Sequence, residues 1–324
     1  MTNDLLLARE TVVDGYSLVV GEPVLLQEYL KIPNFVAQGP YLYPSLRGLP
    51  ALVKELQILH PGYEVIIANG AKQAIAACMH AMARAKGSVY HRAPYWPSYP
   101  TLACMNCVGF TDAPGHLNPM VCVTSPNNPD GYETLQDCDL WDSVYAHQIY
   151  GWSGCEPGSY RMRVGSASKM LGLSGVRVGW VLTKDPELAK RARTYVEITT
   201  SGVSLPAQEY VAHALAFARN NFGFLDYQNV HEAIVRNGTM FRDQLGEYCD
   251  WCAGVPGEGR GMFAFFQIKP KKAKAFVKAL KTAKVAMLAG AACGVIEGDT
   301  WRCNMCHNNE YTEKALKAVR EKMK

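Results

Sequence analysis

The chain has 324 residues, 48% of them hydrophobic and 19% charged, with a net charge of +4. That balance excludes a disordered or collagen-like chain and leaves room for one large domain with a smaller companion. No apolar run reaches the roughly 18 residues of a membrane helix, and the opening MTNDLLLARE lacks the basic start and apolar core of an export signal. A cytoplasmic protein is expected, its eleven cysteines reduced.

In chain order, LPALVKELQILH has helical spacing and YEVIIANG is an extended run closed by glycine. AKQAIAACMHAMARA places Ala, Ile and Met on one helical face. Six short apolar runs follow: SVYHRAP, CVGFTDA, MVCVTSP, CDLWDSVY, RMRVGSAS and RVGWVLTK. With YEVIIANG they predict about seven strands separated by helices or loops, an α/β layered sheet. Asp185 to about Tyr248 reads as mainly helical. MFAFFQIK, KKAKAFVKALKTAK, TWRCNMCH and TEKALKAVREKMK alternate strand and helix again, as a smaller α+β unit.

Charge follows the same division. Residues 260–324 carry 11 Lys and 3 Arg against 5 acidic residues, a net +9, which leaves −5 on residues 1–259. Such asymmetry is compatible with nucleic acid or another polyanion, although lysine-rich faces of terminal helices read first as solvated surface, and no base-stacking motif accompanies it.

The most informative stretch is SASKMLGLSGVRVGW. Lys169 lies where an extended run gives way to a Gly-rich loop, with Ser166, Ser168 and Arg177 nearby. Serine hydroxyls and the planar donor fork of arginine suit a phosphate. An amine beside a phosphate site points to a Schiff base with pyridoxal phosphate. An exposed loop lysine is the plainer alternative. In ANGAKQA a strand ends and a helix begins, so the free N–H groups of Ala71 and Lys72 after Gly70 face an anion, helped by the helix dipole.

S-x-S-K-x-x-G-L-x-G-x-R-x-G-W resembles the pyridoxal-lysine segment of fold-type I aminotransferases, classes I and II, and the resemblance runs from Gly21 to Arg302. TSPNNPDG and YVEITTSGVS also resemble the alliinase and plant tryptophan aminotransferase branch. The resemblance implies a fold-type I α/β architecture with a mostly parallel seven-stranded sheet. Residues 46–225 would form the cofactor-binding domain, and 1–45 with 226–324 the small domain. It also implies pyridoxal 5'-phosphate as cofactor, held by Lys169, with Gly70, Ala71, Lys72, Ser166, Ser168 and Arg177 at its phosphate.

Trp96 in APYWPSYP matches the family's aromatic plate on the pyridine ring; alone it would read as a core tryptophan. Asn128 in SPNNPDG and Tyr145 in LWDSVY match the donors to the cofactor's phenolic oxygen, and Asp142 matches the partner of the pyridine nitrogen. Asn128 and Asp142 are only 14 residues apart, about half the family separation, so a connecting helix is expected to be missing and Asp139 is a rival. Tyr43 in YPSLRG matches a tyrosine that reaches the phosphate of a neighbouring subunit, which implies a homodimer with shared sites. Gly21 in VVGEP and Arg302 in GDTWRCNMC match groups near the substrate α-carboxylate, which Arg302 and Asn128 would orient.

Lys169, Asp142 and Tyr145 are thus the expected catalytic residues of an aminotransferase acting on an amino acid. A lyase or decarboxylase, including one whose amino acid is attached to a nucleotide or nucleic acid, is the first alternative. A ligand-binding relative without catalysis is the second, and Lys169 argues against it. The pairs Cys104/Cys107, Cys249/Cys252 and Cys303/Cys306 lack the turn residues of zinc knuckles. Strand parity also sends residues three apart to opposite faces, so no metal site is expected.

Overall fold

In a computed structural model, residues 14–39, 42–115, 117–222, 224–253, 261–295 and 297–324 are described; the opening MTNDLLLARE and Arg260 lie outside them. Each of the seven expected apolar runs forms a strand: β2 (Glu64–Ala68), β3 (Ser88–Tyr90), β4 (Gly109–Thr111), β5 (Met120–Thr124), β6 (Leu140–Asp142), β7 (Met162–Ser166) and β8 (Gly179–Thr183). They join one sheet in the order β2-β8-β7-β6-β5-β3-β4. Only β8 runs against its neighbours. Its five residues are all buried, as expected for a strand covered on both faces.

Helix Gly70–Met82 presents its Ala, Ile, Cys and Met side chains to the buried side and packs against β8 and against Pro186–Thr200. The link from β5 to β6, residues 125–139, is turn and coil, so the family's helix is missing there as expected. The carboxyl ends of β5, β6 and β7 lie side by side, with Thr124 opposite Asp142 and Asp142 opposite Val164. Ligands of open α/β sheets bind at that edge.

A second sheet, β12 (Leu288–Ala289), β13 (Thr300–Asn304), β10 (Phe263–Ile268) and β9 (Cys249–Ala253), is antiparallel in that order. Phe266 of β10 meets Phe241 of helix Phe224–Leu245 and Phe276 of helix Ala273–Ala283, so those helices cover one face. The N-terminal segment is tied to this sheet. Asn304 donates its backbone N–H to the Leu18 carbonyl, and its side-chain amide to those of Val20 and Glu22. That places Gly21 at the junction of the two sheets. Short β1 (Tyr16–Ser17) pairs with β11 (Val285–Ala286). Helix Val24–Leu30 was not expected from the sequence, for it starts after Pro23 with no side-chain cap.

The basic C-terminal segment is partly neutralised on the surface. Lys284 pairs with Asp14, Lys314 with Glu310 and Lys317 with Glu313. No helix among the described residues is long and apolar enough to cross a membrane.

Candidate active site

A cleft of about 470 Å³ opens where the sheet's carboxyl edge meets the second sheet. Of the fourteen residues singled out by sequence, Gly21, Ala71, Lys72, Trp96, Asn128, Asp142, Tyr145, Ser166, Ser168, Lys169, Arg177 and Arg302 all line it. Gly70 lies just beneath. Tyr43 does not reach the cleft of its own chain; its ring is 89% exposed.

β7 delivers Lys169. The strand ends at Ser166, whose hydroxyl accepts the Ser168 N–H at 3.1 Å and caps a single helical turn, Ala167–Met170. Tyr150 donates to the Lys169 carbonyl at 2.8 Å and fixes the turn from behind. Lys169 Nζ donates to the Gly21 carbonyl and stands 5.8 Å from the centre of the Tyr145 ring. A Cβ on Gly21 would sit 2.8 Å from Phe263 Cζ, so glycine lets that ring pack against this segment.

The anion end is built from α/β backbone. Gly70 begins helix Gly70–Met82 at φ +76°, a conformation that suits glycine. A Cβ there would collide with the Arg177 guanidinium. Arg177 is itself left-handed at φ +61° and donates Nη1 to the Ser174 carbonyl at 2.8 Å. β8 presses close, because a Cβ on Gly179 would come within 2.6 Å of Gly70 backbone. The Arg177 guanidinium thus stands over the start of the helix, and Ala71, Lys72 and Ser168 line the same cleft, a donor set that fits a phosphate.

At the other end, Asp142 closes β6. It is 3% exposed and accepts from Tyr99 Oη at 2.9 Å and from the Val144 N–H at 3.3 Å. Burial pushes its carboxyl up to about 6, against the pull of Tyr99, Val144 and Lys169. Asp139, the rival, is taken up elsewhere: it accepts the Val121 N–H at 2.9 Å and pairs with Lys86 at 3.3 Å.

Behind Asp142 lies a chain that the sequence did not reveal. Tyr99 Oη is 2.9 Å from Thr124 Oγ1, which is 3.1 Å from His91 Nε2, and His91 Nδ1 is 2.9 Å from the Arg92 carbonyl. A carbonyl only accepts, so Nδ1 carries the proton and Nε2 accepts; burial holds this imidazole neutral, its pKa lowered to about 4. Ionised Asp142 takes the Tyr99 proton. Thr124 then has one proton for two acceptors, Tyr99 Oη and His91 Nε2. Protonated Asp142 removes the conflict by donating to Tyr99, which donates to Thr124, which donates to His91. Tyr99 follows Trp96 by three residues, and their rings meet edge to face at 5.7 Å.

Arg302 comes from β13 and is 2% exposed. Nη1 donates to Asn128 Oδ1 at 2.9 Å and Nη2 to the Val19 carbonyl at 2.6 Å, while Nε is buried without a partner. The guanidinium carbon lies 4.4 Å from the Phe263 ring centre. Among the described residues no carboxylate pairs with it, and burial lowers its pKa. Asn128 bridges onward, donating to Tyr145 Oη at 3.1 Å. A buried cation with only neutral partners is costly unless an anion arrives.

The cleft therefore offers an amine at its centre, phosphate donors at one end, a buried carboxylate suited to a protonated ring nitrogen, and an arginine awaiting an anion. Trp96 supplies the flat wall, with Lys72 Nζ 5.5 Å from its ring centre. These groups fit pyridoxal phosphate.

Known proteins bear on this arrangement. A tryptophan aminotransferase-related protein 2 of Oryza sativa subsp. japonica is 30% identical over 202 residues, covering 53% of this chain and 40% of that protein. An alliin lyase of Allium cepa is 34% identical over 93 residues, covering 26% of this chain and 19% of that protein. The chain thus spans less than half the length of these relatives. Among solved structures, an aspartate aminotransferase double mutant of Thermus thermophilus superposes with TM-score 0.77 at 20% identity, covering 98% of this chain and 94% of that one. An aromatic aminotransferase of Pyrococcus horikoshii gives 0.74 at 20% identity, with 98% of each chain covered. Those likenesses establish the fold-type I architecture. The family model for aminotransferase class I and II matches residues 33–319, and with that match spanning most of its length, the chain belongs to the class I and II aminotransferase family, whose members use pyridoxal phosphate.

Proposed function

We propose that this chain is a pyridoxal-phosphate-dependent aminotransferase acting on an amino acid that bears a free α-carboxylate. The observation that carries the reading is Arg302, a buried guanidinium with neutral partners and an unpaired Nε, lining the same cleft as Lys169. When bound, the cofactor supplies an aldehyde for the substrate amine and a ring that accepts the electron pair left at Cα. Lys169, Ser168, Arg177 and the N–H groups of Ala71 and Lys72 hold it.

Arg302 and Asn128 then fix the substrate carboxylate, which aims the Cα–H bond at Lys169 Nζ. Lys169 Nζ would remove the Cα proton as general base and, for transamination, return it as general acid to the carbon on the far side of the substrate nitrogen, a 1,3-shift. Asp142 keeps a ring nitrogen protonated. Asn128 and Tyr145 support the phenolic oxygen. Tyr43, exposed in its own chain, is assigned to the site of a second copy, so the working unit is a homodimer.

A lyase is the second reading, favoured by the likeness to alliin lyase and by the short β5–β6 link. The purified protein with pyridoxal phosphate should be yellow and bleach with borohydride, and Lys169→Ala should do neither. A protein that stays colourless would overturn the enzyme reading and leave a binding relative. Incubation with an amino-acid panel then separates the chemistries: keto-acid-dependent turnover supports the aminotransferase, and ammonia or carbon dioxide release without a keto acid supports the lyase or decarboxylase.

A further inference from the structure

Three Cys-x-x-Cys pairs were left without a role, and they differ sharply in the folded chain. Cys303 and Cys306 are fully buried, and burial pushes both thiols up, Cys306 to about 12. No small disulfide can reach thiols so enclosed. Cys104 and Cys107 are exposed on either side of a helix end, Cys107 at φ +56°. Among the described residues their thiols make no contact with one another. Cys249 and Cys252 do make such a contact, for their side chains share a hydrogen bond.

Strand alternation forbids this contact, and the register explains how it arises. Trp251 lies opposite Gln267 but Cys249 lies opposite Ile268, so Asp250 is an extra residue on β9. One inserted residue reverses the alternation. Cys252, opposite Phe266, and Cys249, opposite Ile268, therefore share a face. Trp251 checks the geometry from the other side: its ring meets Phe265 at 5.7 Å and its indole N–H bonds Gln267, both on the opposite face. That opposite face also carries Phe263 and Arg302 of the cleft. The thiol pair is thus a separate site, on the sheet's edge strand.

We propose that Cys249 and Cys252 form a redox-active dithiol, a modification site that reacts with low-molecular-weight disulfides. The roles follow from exposure. Cys252 is exposed and attacks; Cys249 is half-buried, its thiol donating to the Leu245 carbonyl at 3.4 Å and its pKa raised first by the hydrogen bond with Cys252, a restraint lost once Cys252 is taken up in the mixed disulfide, and it resolves. Cys252 thiolate attacks one sulfur of R–S–S–R, breaking that bond, forming a mixed disulfide and releasing one RSH after protonation. Cys249, giving its proton to solvent, then attacks Cys252 Sγ and expels the second RS⁻, which is protonated. The dithiol loses two electrons, and the small disulfide gains them as two RSH.

The test equilibrates reduced full-length protein with glutathione/glutathione disulfide mixtures, alkylates the remaining thiols and maps peptides by mass spectrometry. A Cys249–Cys252 disulfide should accumulate at lower oxidant ratio than any bond involving Cys104 or Cys107. Cys249→Ser should stop at a glutathione adduct on Cys252, and Cys252→Ser should show neither product. A wild-type chain that holds a stable adduct on Cys252 beside an alkylatable Cys249 would overturn the proposal, as would the absence of the internal disulfide at every ratio. Phenylarsine oxide gives a check on unmutated protein: one arsenical per chain should protect both thiols together, and independent alkylation of the two would reject the pair.

Discussion

Arg302 is held by two neutral acceptors, Asn128 Oδ1 and the Val19 carbonyl, and its value to the reaction lies in the fork it turns toward the substrate. Arg302→Lys keeps a charge but loses that planar fork. Losing one charge-assisted hydrogen bond, about 1.5–3 kcal/mol, should raise KM by roughly 10- to 150-fold. The yellow colour should persist, because Arg302 does not hold the cofactor; steady-state kinetics beside an absorption spectrum checks both halves. Asp142 makes the complementary case in pH. Its carboxyl is raised to about 6 in the cofactor-free fold, against about 3.9 in an unfolded chain. The native state therefore binds the proton more tightly, and this contribution to stability is full below about pH 4 and lost as pH rises through about 6. Two units correspond to about 3 kcal/mol, and Asn in place of Asp gives up roughly 1 kcal/mol of accepted hydrogen bonding. Cofactor-free Asp142→Asn should then gain on wild type between pH 4 and 7, ending about 2 kcal/mol ahead of its pH 4 standing. Denaturant titrations across that range measure it, and a parallel pH dependence in the two proteins would reject a protonated Asp142.

At the level of elements, the phosphate end depends on three segments meeting at one glycine. Gly70 starts its helix at φ +76°, Arg177 fills the space where a Cβ would sit, and Gly179 lets β8 approach. Gly70→Ala should cost about 1–2 kcal/mol in backbone strain and also push Arg177 out of place. Cofactor affinity should drop roughly 10- to 100-fold while the fold survives, as a titration of cofactor-free protein with pyridoxal phosphate would show. The same scale explains what the sequence made legible. All seven strands of the main sheet were visible because each is a short apolar run bounded by turn residues, and SASKMLGLSGVRVGW located Lys169, Ser168 and Arg177 together. Asp142 was separable from Asp139 only by pattern; the fold separates them by strand end. The Tyr99–Thr124–His91 chain was invisible because its members come from three elements and meet only through sheet order. The Asp250 bulge was invisible too, since register depends on the partner strand and not on the residue inserted. It overturned the parity argument for Cys249 and Cys252, the pair that lies wholly within a strand; Cys104 and Cys107 flank a helix end and Cys306 lies beyond β13, so parity does not apply to them.

For the whole molecule, the decisive residue is one that the single chain leaves idle. Tyr43 is 89% exposed, beside Leu42 at 73%, so both side chains are available to the second copy proposed above. Twelve of the other candidate residues already line one cleft, so the phosphate end is where an outside group would be added. In a symmetric dimer each Tyr43 would complete its partner's site. Two inactive chains then make a discriminating experiment. Lys169→Ala lacks the reactive amine but keeps a sound Tyr43, while Tyr43→Ala keeps the amine but deprives its partner. Neither homodimer should support normal turnover. Mixed by reversible unfolding, half of the dimers would be hybrids, each with one site holding Lys169 from one chain and Tyr43 from the other. Activity should recover to about a quarter of wild type. If each site were built from a single chain, mixing would restore nothing, and activity would stay at the average of the two parents.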